Sequence, residues 1–319
     1  VLVTGAAGFL GNACAREFLD RGWQVTAMAH RQTVGNLPGA RIVAGDVTDR
    51  NGLASMLAKS GPFDCVVNCA GIASDVARTS LLMQVNHAGA ANLAECVASQ
   101  PLGRLVHVST TDVYGIRDFV EADEDTPLAE DTRQGYPRSK ILAERAVATS
   151  LPASRYVLLR PGAVCEKTDT TILPRVVTFL RYSPWVIHFG PWRGRNRWPL
   201  AHVRNVATAA FLAAAHEETS GQAYNVVDPT WTTLEEYYRW VLRTFLPAKQ
   251  GVRSITIPVG LAWGWARASS LLSRAMGRLR PLLDPSEYAL YCLASNLDFS
   301  SRKLQGLFAR HGEQFVPSL

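Results

Sequence analysis

Apolar residues along the chain fall into short unbroken runs, separated by longer stretches in which they recur at helical spacing. Val1–Thr4, Val25–Ala29, Arg41–Gly45, Cys65–Cys69, Leu105–Ser109 and Tyr156–Leu159 read as strands. Between them, Phe9–Arg21 (stopped by Gly22), Asp49 through Leu57, Thr79–Ser99 and Gln134–Ser150 read as helices, with Asp49 as an N-cap. Strands that are apolar throughout must be covered on both faces. Their alternation with helices predicts an α/β fold built on a doubly wound parallel sheet, with ligands outside the carboxyl ends of the strands.

Beyond Arg160 the regularity breaks. Arg181–Trp198, rich in Trp, Pro, Gly and Arg, reads as loop over a ligand with no regular element. His202–His216 reads as an Ala-rich helix, Ala223–Val227 as a strand and Thr233–Phe245 as a helix capped by Thr233. The remainder reads as helical and basic. The expected division is a dinucleotide-binding unit of residues 1–162 plus 199–228, and a smaller, mostly helical C-terminal substrate region of 163–198 plus 229–319.

The first strand turns into the first helix through VLVTGAAGFLG, with glycines at 5, 8 and 11. At such a junction the first glycine permits a tight turn, the second lets backbone approach a pyrophosphate, and the third lets helix pack on strand. Helix N-terminal amides then face the anion.

Composition narrows the picture. At 319 residues, 47% hydrophobic and 19% charged, the chain can bury one large core or two unequal ones. Cysteines at 14, 65, 69, 96, 165 and 292 form no CxxC and have no zinc-like spacing with His, so no metal site is expected, and reduced thiols point to a cytoplasmic protein. The longest strongly apolar runs, Val206–Ala215 and Ile255–Ala266, fall short of the roughly 20 residues of a bilayer span, and no signal peptide is visible. The net charge of +6 fits anionic ligands and an ordinary surface, since no nucleic-acid-binding motif accompanies it.

Tyr136 and Lys140 lie four residues apart on a predicted helix and so share a face. The pairing predicts an ammonium beneath the phenol that favours its ionised form, the shift that acid/base chemistry at neutral pH requires. VSTTDVYG at 108–115 supplies hydroxyls just past a strand's carboxyl end.

TGAAGFLG (4–11), GDVTD (45–49), NCAG (68–71), Asn86 within VNHAGAANL, STTDVYG (109–115), YPRSK (136–140) and LRPGAV (159–164) together resemble the extended short-chain dehydrogenase/reductases of the NAD-dependent epimerase/dehydratase superfamily. AHVRNVATAAFLA (201–213) and AYNVVD (223–228) resemble the 3β-hydroxysteroid dehydrogenase-like branch. The resemblance implies a Rossmann-type sheet. It makes Tyr136 the proton donor or acceptor and gives Lys140 the tasks of tuning it and bonding the nicotinamide ribose. Thr110 would hold the substrate oxygen, with Ser109 and Thr111 as alternatives, and Asn86 would hold a water in the proton path. The implied cofactor contacts are Gly5, Ala7, Gly8, Phe9, Leu10, Gly11, His30, Arg31, Asp46, Val47, Cys69, Ala70, Gly71, Tyr136, Lys140 and Pro161, with Asp46 at the adenine. A homodimer is implied by the same analogy.

The second strand ends Ala29, His30, Arg31, without the acid that usually receives the ribose hydroxyls of NAD. An Arg there favours a 2′-phosphate, so NADP is expected, with NAD the alternative. Nucleotide-sugar members usually carry Asn where Ala163 stands and VYGP where this chain has Val164, Cys165, Glu166 and Lys167. The expectation is therefore an NADP-dependent oxidoreductase acting on a secondary alcohol or ketone of a mostly apolar small molecule. A nucleotide-sugar epimerase or dehydratase and an NADP-binding redox sensor are the alternatives.

Seven of the eight Trp lie in the C-terminal region; of the six at 185, 192, 198, 231, 263 and 265, at least two are expected to line an apolar cleft toward Thr110 and Tyr136, the alternative being that all fill a second, small hydrophobic core. Arg193, Arg195 and Arg197 could clamp an anionic substrate group or form an exposed basic loop. The stretch 263–280, basic with Trp and Leu, fits a pocket lid or peripheral membrane contact.

Overall fold

The computed structural model describes every residue except 31–33, 36, 100–102, 131 and 265–285. In chain order the strands are β1 (Leu2–Thr4), β2 (Thr26–Ala29), β3 (Arg41–Ala44), β4 (Cys65–Asn68), β5 (Arg104–Val108), β6 (Tyr156–Pro161), β7 (Ala163–Cys165), β8 (Val186–Phe189), β9 (Arg197–Trp198), β10 (Leu200–His202), β11 (Ala223–Val226), β12 (Thr232–Thr233) and β13 (Ser254–Ile257). Seven of them form one parallel sheet in the order β11-β6-β5-β4-β1-β2-β3. The chain runs outward from β1 to β3 and then returns to place β4 on β1's other side. The crevice at that reversal, above β1 and β4, is where such sheets bind ligands.

The helices are α1 (Phe9–Asp20), α2 (Arg50–Ser60), α3 (Thr79–Leu82), α4 (Gly89–Ala98), α5 (Gly135–Ser150), α6 (Leu173–Tyr182), α7 (Val203–Ala215), α8 (Leu234–Phe245), α9 (Glu287–Ala294) and α10 (Arg302–Arg310). Strand periodicity sends alternate side chains to opposite faces. Val3, Val67 and Val106 meet Phe18 of α1, Val206 of α7 and Phe308 of α10; Leu2, Val66 and Leu105 meet Leu53, Leu93 and Val147 of α2, α4 and α5. Phe18 is fully buried, edge-on to Trp23 at 5.3 Å and Phe211 at 5.5 Å. Truncating such a ring costs about 3–5 kcal/mol. A separate core, including Leu180, Tyr237, Tyr238 and Leu242, joins α6 to α8.

Two sequence expectations are corrected. The stretch 181–198 contains β8 and β9: Val186–Phe189 pairs in parallel with Ser254–Ile257, so the last part of the chain is not wholly helical either. This two-stranded ribbon joins segments far apart in sequence: β8 is mostly buried but sits among Trp, Pro and Arg, and β13 alternates between exposed and half-buried residues. The helix expected over Thr79–Ser99 is divided by a π-helical turn, Met83–Ala88, whose buried member is Asn86. Such turns occur frequently at functional sites. Among the described residues, no helix is long and apolar enough to cross a membrane.

Candidate active site

At the head of β1 the glycine turn is enforced by close packing. Gly5 has φ +65°, and a Cβ there would lie 2.8 Å from the Cys69 carbonyl; a Cβ on Gly11 would lie 2.2 Å from the Gly5 oxygen. Gly8 is the exposed N-cap of α1, with no side chain capping the helix and no acid in its first turn. The amides there are oriented toward an anion with nothing negative to oppose it. The cradle fits a dinucleotide's pyrophosphate, with Ala7, Phe9 and Leu10 on the same turn.

Along the adjoining strand ends, Thr4 Oγ1 donates to Asn68 Oδ1 at 2.7 Å, and the Asn68 amide reaches His107 Nδ1 at 3.1 Å. β1, β4 and β5 are thus tied at their carboxyl ends. Burial, with Lys140 nearby, pushes His107 down to about 3, so its ring is neutral. Beyond β4, Cys69, Ala70 and Gly71 form the turn beside the crevice.

At the carboxyl ends of β2 and β3, His30 Nε2 lies 3.1 Å from Asp46 Oδ2, and Asp46 also accepts from the Thr48 amide and hydroxyl. Val47 packs where Gly89 admits α4: a Cβ on that glycine would lie 2.7 Å from Val47. Pro161 closes β6. Arg31 lies outside the described residues.

Helix α5 buries the face that carries Lys140, Glu144 and Val147. Glu144 forms a buried pair with Arg160 of β6 at 2.8 and 3.0 Å; Arg160 also donates to the Tyr114 hydroxyl, which donates to Asn225. Removing one partner from such a pair costs about 3–5 kcal/mol, so the helix is fixed firmly against β6. The same face presents Tyr136 and Lys140 to the end of β5.

There the structure departs from the simple expectation of an ammonium beneath a phenol. Lys140 Nζ donates to the Val108 carbonyl at 2.9 Å, and burial pushes the amine down to about 8, opposed by Cys69 and Glu144. The Tyr136 phenol is held above its ordinary value rather than below it. Burial is the main cause and the Asp112 carboxylate adds to it, while the hydrogen-bonding Thr110 hydroxyl partly offsets both. Tyr136 therefore keeps its proton at neutral pH.

Thr110 caps the short helical turn after β5, accepting from the Asp112 amide at 3.3 Å, and is buried. Ser109 is buried too, and its hydroxyl finds no partner among the described residues. Asn86 is engaged on every side: it accepts from the Ile72 amide at 2.7 Å and donates to the Ile72 carbonyl at 3.1 Å and to Ser139 Oγ at 2.9 Å. Ser139 in turn donates to the Tyr136 carbonyl. Asn86 thereby ties the turn after β4 to the helix that bears Tyr136. A Cβ on Gly71 would lie 3.2 Å from Asn86 Oδ1 and 3.4 Å from Lys140 Nζ, so the bare backbone here passes directly over both.

Two residues of this cluster were not singled out in the sequence. Asp112 follows Thr110 by two positions inside the same motif, where its hydroxyl neighbours draw attention away from it. Tyr288, on α9, stands edge-on to Tyr136 at 6.4 Å and donates a short hydrogen bond to Asp112. Burial comes first in raising the Asp112 carboxyl, against the bonds from Tyr288 and Thr110. Nothing local in the sequence marks Tyr288.

The tryptophans do other work. Trp198 stacks on Tyr237, Trp263 lies edge-on to Tyr291 at 4.4 Å, Trp192 donates to Asp118, and Trp185 and Trp231 are exposed. The aromatic beside Tyr136 is Tyr288. Trp265 and nearly all of the stretch 263–280 lie outside the described residues. Of the three alternating arginines, Arg197 is paired with Asp298 at 2.7 Å and lies over Trp231, while Arg193 and Arg195 are exposed.

Residues 1–226 match the NAD dependent epimerase/dehydratase family. The human sterol-4-alpha-carboxylate 3-dehydrogenase, decarboxylating, is 27% identical over 245 residues, which cover 73% of this chain and 64% of that protein's length. The 2-alkyl-3-oxoalkanoate reductase of Stenotrophomonas maltophilia is 30% identical over 235 residues, covering 70% of this chain and 69% of that one. In fold, the chain superposes on the Thermus thermophilus UDP-glucose 4-epimerase solved with NAD, with a TM-score of 0.71, 21% identity and coverage of 98% and 93%. The chain belongs to the NAD-dependent epimerase/dehydratase family and is an NAD(P)-dependent enzyme of the extended short-chain dehydrogenase/reductase type.

Proposed function

We propose that this enzyme is an NADP-dependent oxidoreductase that interconverts a secondary alcohol and a ketone on a mostly apolar small molecule, with Tyr136 exchanging the proton. The observation that carries the reading is the convergence of Thr110, Tyr136 and Lys140 at the carboxyl end of β5. When bound, the nicotinamide coenzyme supplies or accepts the hydride. The glycine turn with Ala7, Phe9 and Leu10 would hold its pyrophosphate, and His30, Arg31, Asp46 and Val47 its adenosine end. Cys69, Ala70, Gly71 and Pro161 would flank the nicotinamide half, and the Lys140 ammonium would donate to the ribose. NADP is preferred because Arg31 follows His30 and no acid ends β2.

Tyr136, holding its proton at neutral pH, suits donation to an oxygen developing negative charge, the direction of ketone reduction. Thr110, against the same phenol, would orient that oxygen, while Asn86 braces the helix from behind. Two relatives support the substrate class, since their names describe 3-dehydrogenation of a sterol carboxylate and reduction of a 3-oxoalkanoate, both largely hydrocarbon skeletons. The test is a panel of ketones, steroid-like alcohols and nucleotide sugars, followed by absorbance of the reduced coenzyme. Net NADPH oxidation with apolar ketones is the expected result. Turnover of nucleotide sugars without net coenzyme change would overturn the reading.

A further inference from the structure

Two thiols meet beneath the cofactor crevice. Cys14, in the first helix, is wholly buried, and Cys69, at the end of β4, is half-buried; their sulfurs are in hydrogen-bonding contact at 3.8 Å. The remaining cysteines, at 65, 96, 165 and 292, are also free thiols, and all four are buried. Cys69 has two further neighbours. Its carbonyl is what a Cβ on Gly5 would strike, and it lies within electrostatic reach of the Lys140 ammonium. A change at its sulfur therefore acts on the glycine turn and on the catalytic lysine together.

We propose that Cys14 and Cys69 form a reversible disulfide under hydroperoxide, and that this modification and the bound coenzyme oppose one another. This rests on the cofactor site proposed above. Cys69, the more accessible thiol, reacts first: its sulfur attacks the peroxide O–O bond, giving Cys69 sulfenic acid and releasing the alcohol, or water from hydrogen peroxide. The Cys14 sulfur then displaces hydroxide, which leaves as water with the thiol proton. Two thiols have lost two electrons and two protons, and the peroxide has taken them up. The hydrogen bond with Cys69 and burial keep Cys14 protonated until then, which fits the resolving role.

Closing the sulfurs from 3.8 Å to the bonded distance of about 2.05 Å draws Cys69 toward the first helix. Its backbone passes so close to Gly5 that a Cβ on that glycine would lie 2.8 Å from the Cys69 carbonyl, so a shift of Cys69 disturbs the glycine turn. By linkage, the factor by which the disulfide weakens coenzyme binding is the factor by which coenzyme opposes the disulfide.

The experiment treats coenzyme-free and NADPH-saturated enzyme with hydrogen peroxide, alkylates remaining thiols and maps peptides by mass spectrometry. The expected result is a Cys14–Cys69 linked peptide in coenzyme-free protein, lost on adding dithiothreitol, and suppressed by NADPH. Oxidised enzyme should bind NADPH about tenfold more weakly, a coupling of ordinary allosteric size. Cys14→Ala should abolish the linked peptide and leave the reduced enzyme's turnover unchanged. Absence of the linked peptide from coenzyme-free protein overturns the proposal, as does a disulfide form that binds NADPH like the reduced one. Reduced enzyme that binds neither NADPH nor NADH would refute the cofactor site instead, while the mapping of coenzyme-free protein still decides whether the disulfide forms.

Discussion

The two walls around Tyr136 are held by different means. On the sheet side, Lys140 is bonded to the Val108 carbonyl, Asn86 to the Ile72 backbone, and Glu144 to Arg160, buried or part-buried contacts with little freedom to rearrange. On the C-terminal side, Tyr288 reaches in through its hydroxyl bond to Asp112, and Ser286 and Arg175 meet on the Asp75 carboxylate, with Arg175 55% exposed. Burial alone would raise Asp75, but Arg175 and Ser286 outweigh it and hold the carboxyl low. The contrast teaches that the proposed reacting groups are set by the parallel sheet, whereas the facing wall hangs on a few side-chain bonds between distant segments. The sheet side should resist substitution poorly and affect chemistry; the other side should tolerate it and affect substrate affinity.

Away from Tyr136 itself, the largest effect is expected at Gly11→Ala, whose added carbon would lie 2.2 Å from a backbone oxygen. Relief requires the glycine turn to shift at a cost of about 1–3 kcal/mol, so coenzyme titration should register a loss of about 5- to 150-fold. Next comes Asp112→Asn. With the carboxylate gone, the phenol of Tyr136 should titrate lower, and the alkaline limb of the rate profile should move to lower pH.

A smaller, pH-dependent effect concerns Lys140. Its amine sits at about 8 in the folded enzyme against an ordinary 10.5, so the ammonium is lost as pH rises through about 8, and kcat should decline there. The stability sign is opposite: burying the charge is a penalty fully present below about 8 and relieved as pH rises toward 10.5. Smallest of all should be Asp75→Asn, which loosens the Arg175 contact. KM for substrate should rise a few-fold, a change of about 1 kcal/mol, with coenzyme affinity unmoved.

The sheet side was legible in the sequence because its strands are apolar on both faces and its turn needs glycine in places no other residue fits, as Gly5 and Gly11 show. Tyr136 and Lys140 followed from helical spacing. Their electrostatics did not, since the charge that matters to the phenol is Asp112 and the lysine turns instead to a strand carbonyl. On the other side, Val186–Phe189 hid among Trp, Pro and Arg because its pairing partner begins at Ser254. Tyr288 left no trace at all, for its significance lies in a contact with a residue 176 positions earlier.

The most direct test of the account is Tyr136→Phe, measured for both turnover and coenzyme affinity. Loss of a positioned proton donor should lower kcat by about 10²–10⁴-fold, while NADPH binds as tightly as before. Turnover near the wild-type rate with intact coenzyme binding would contradict the claim that this phenol moves the proton.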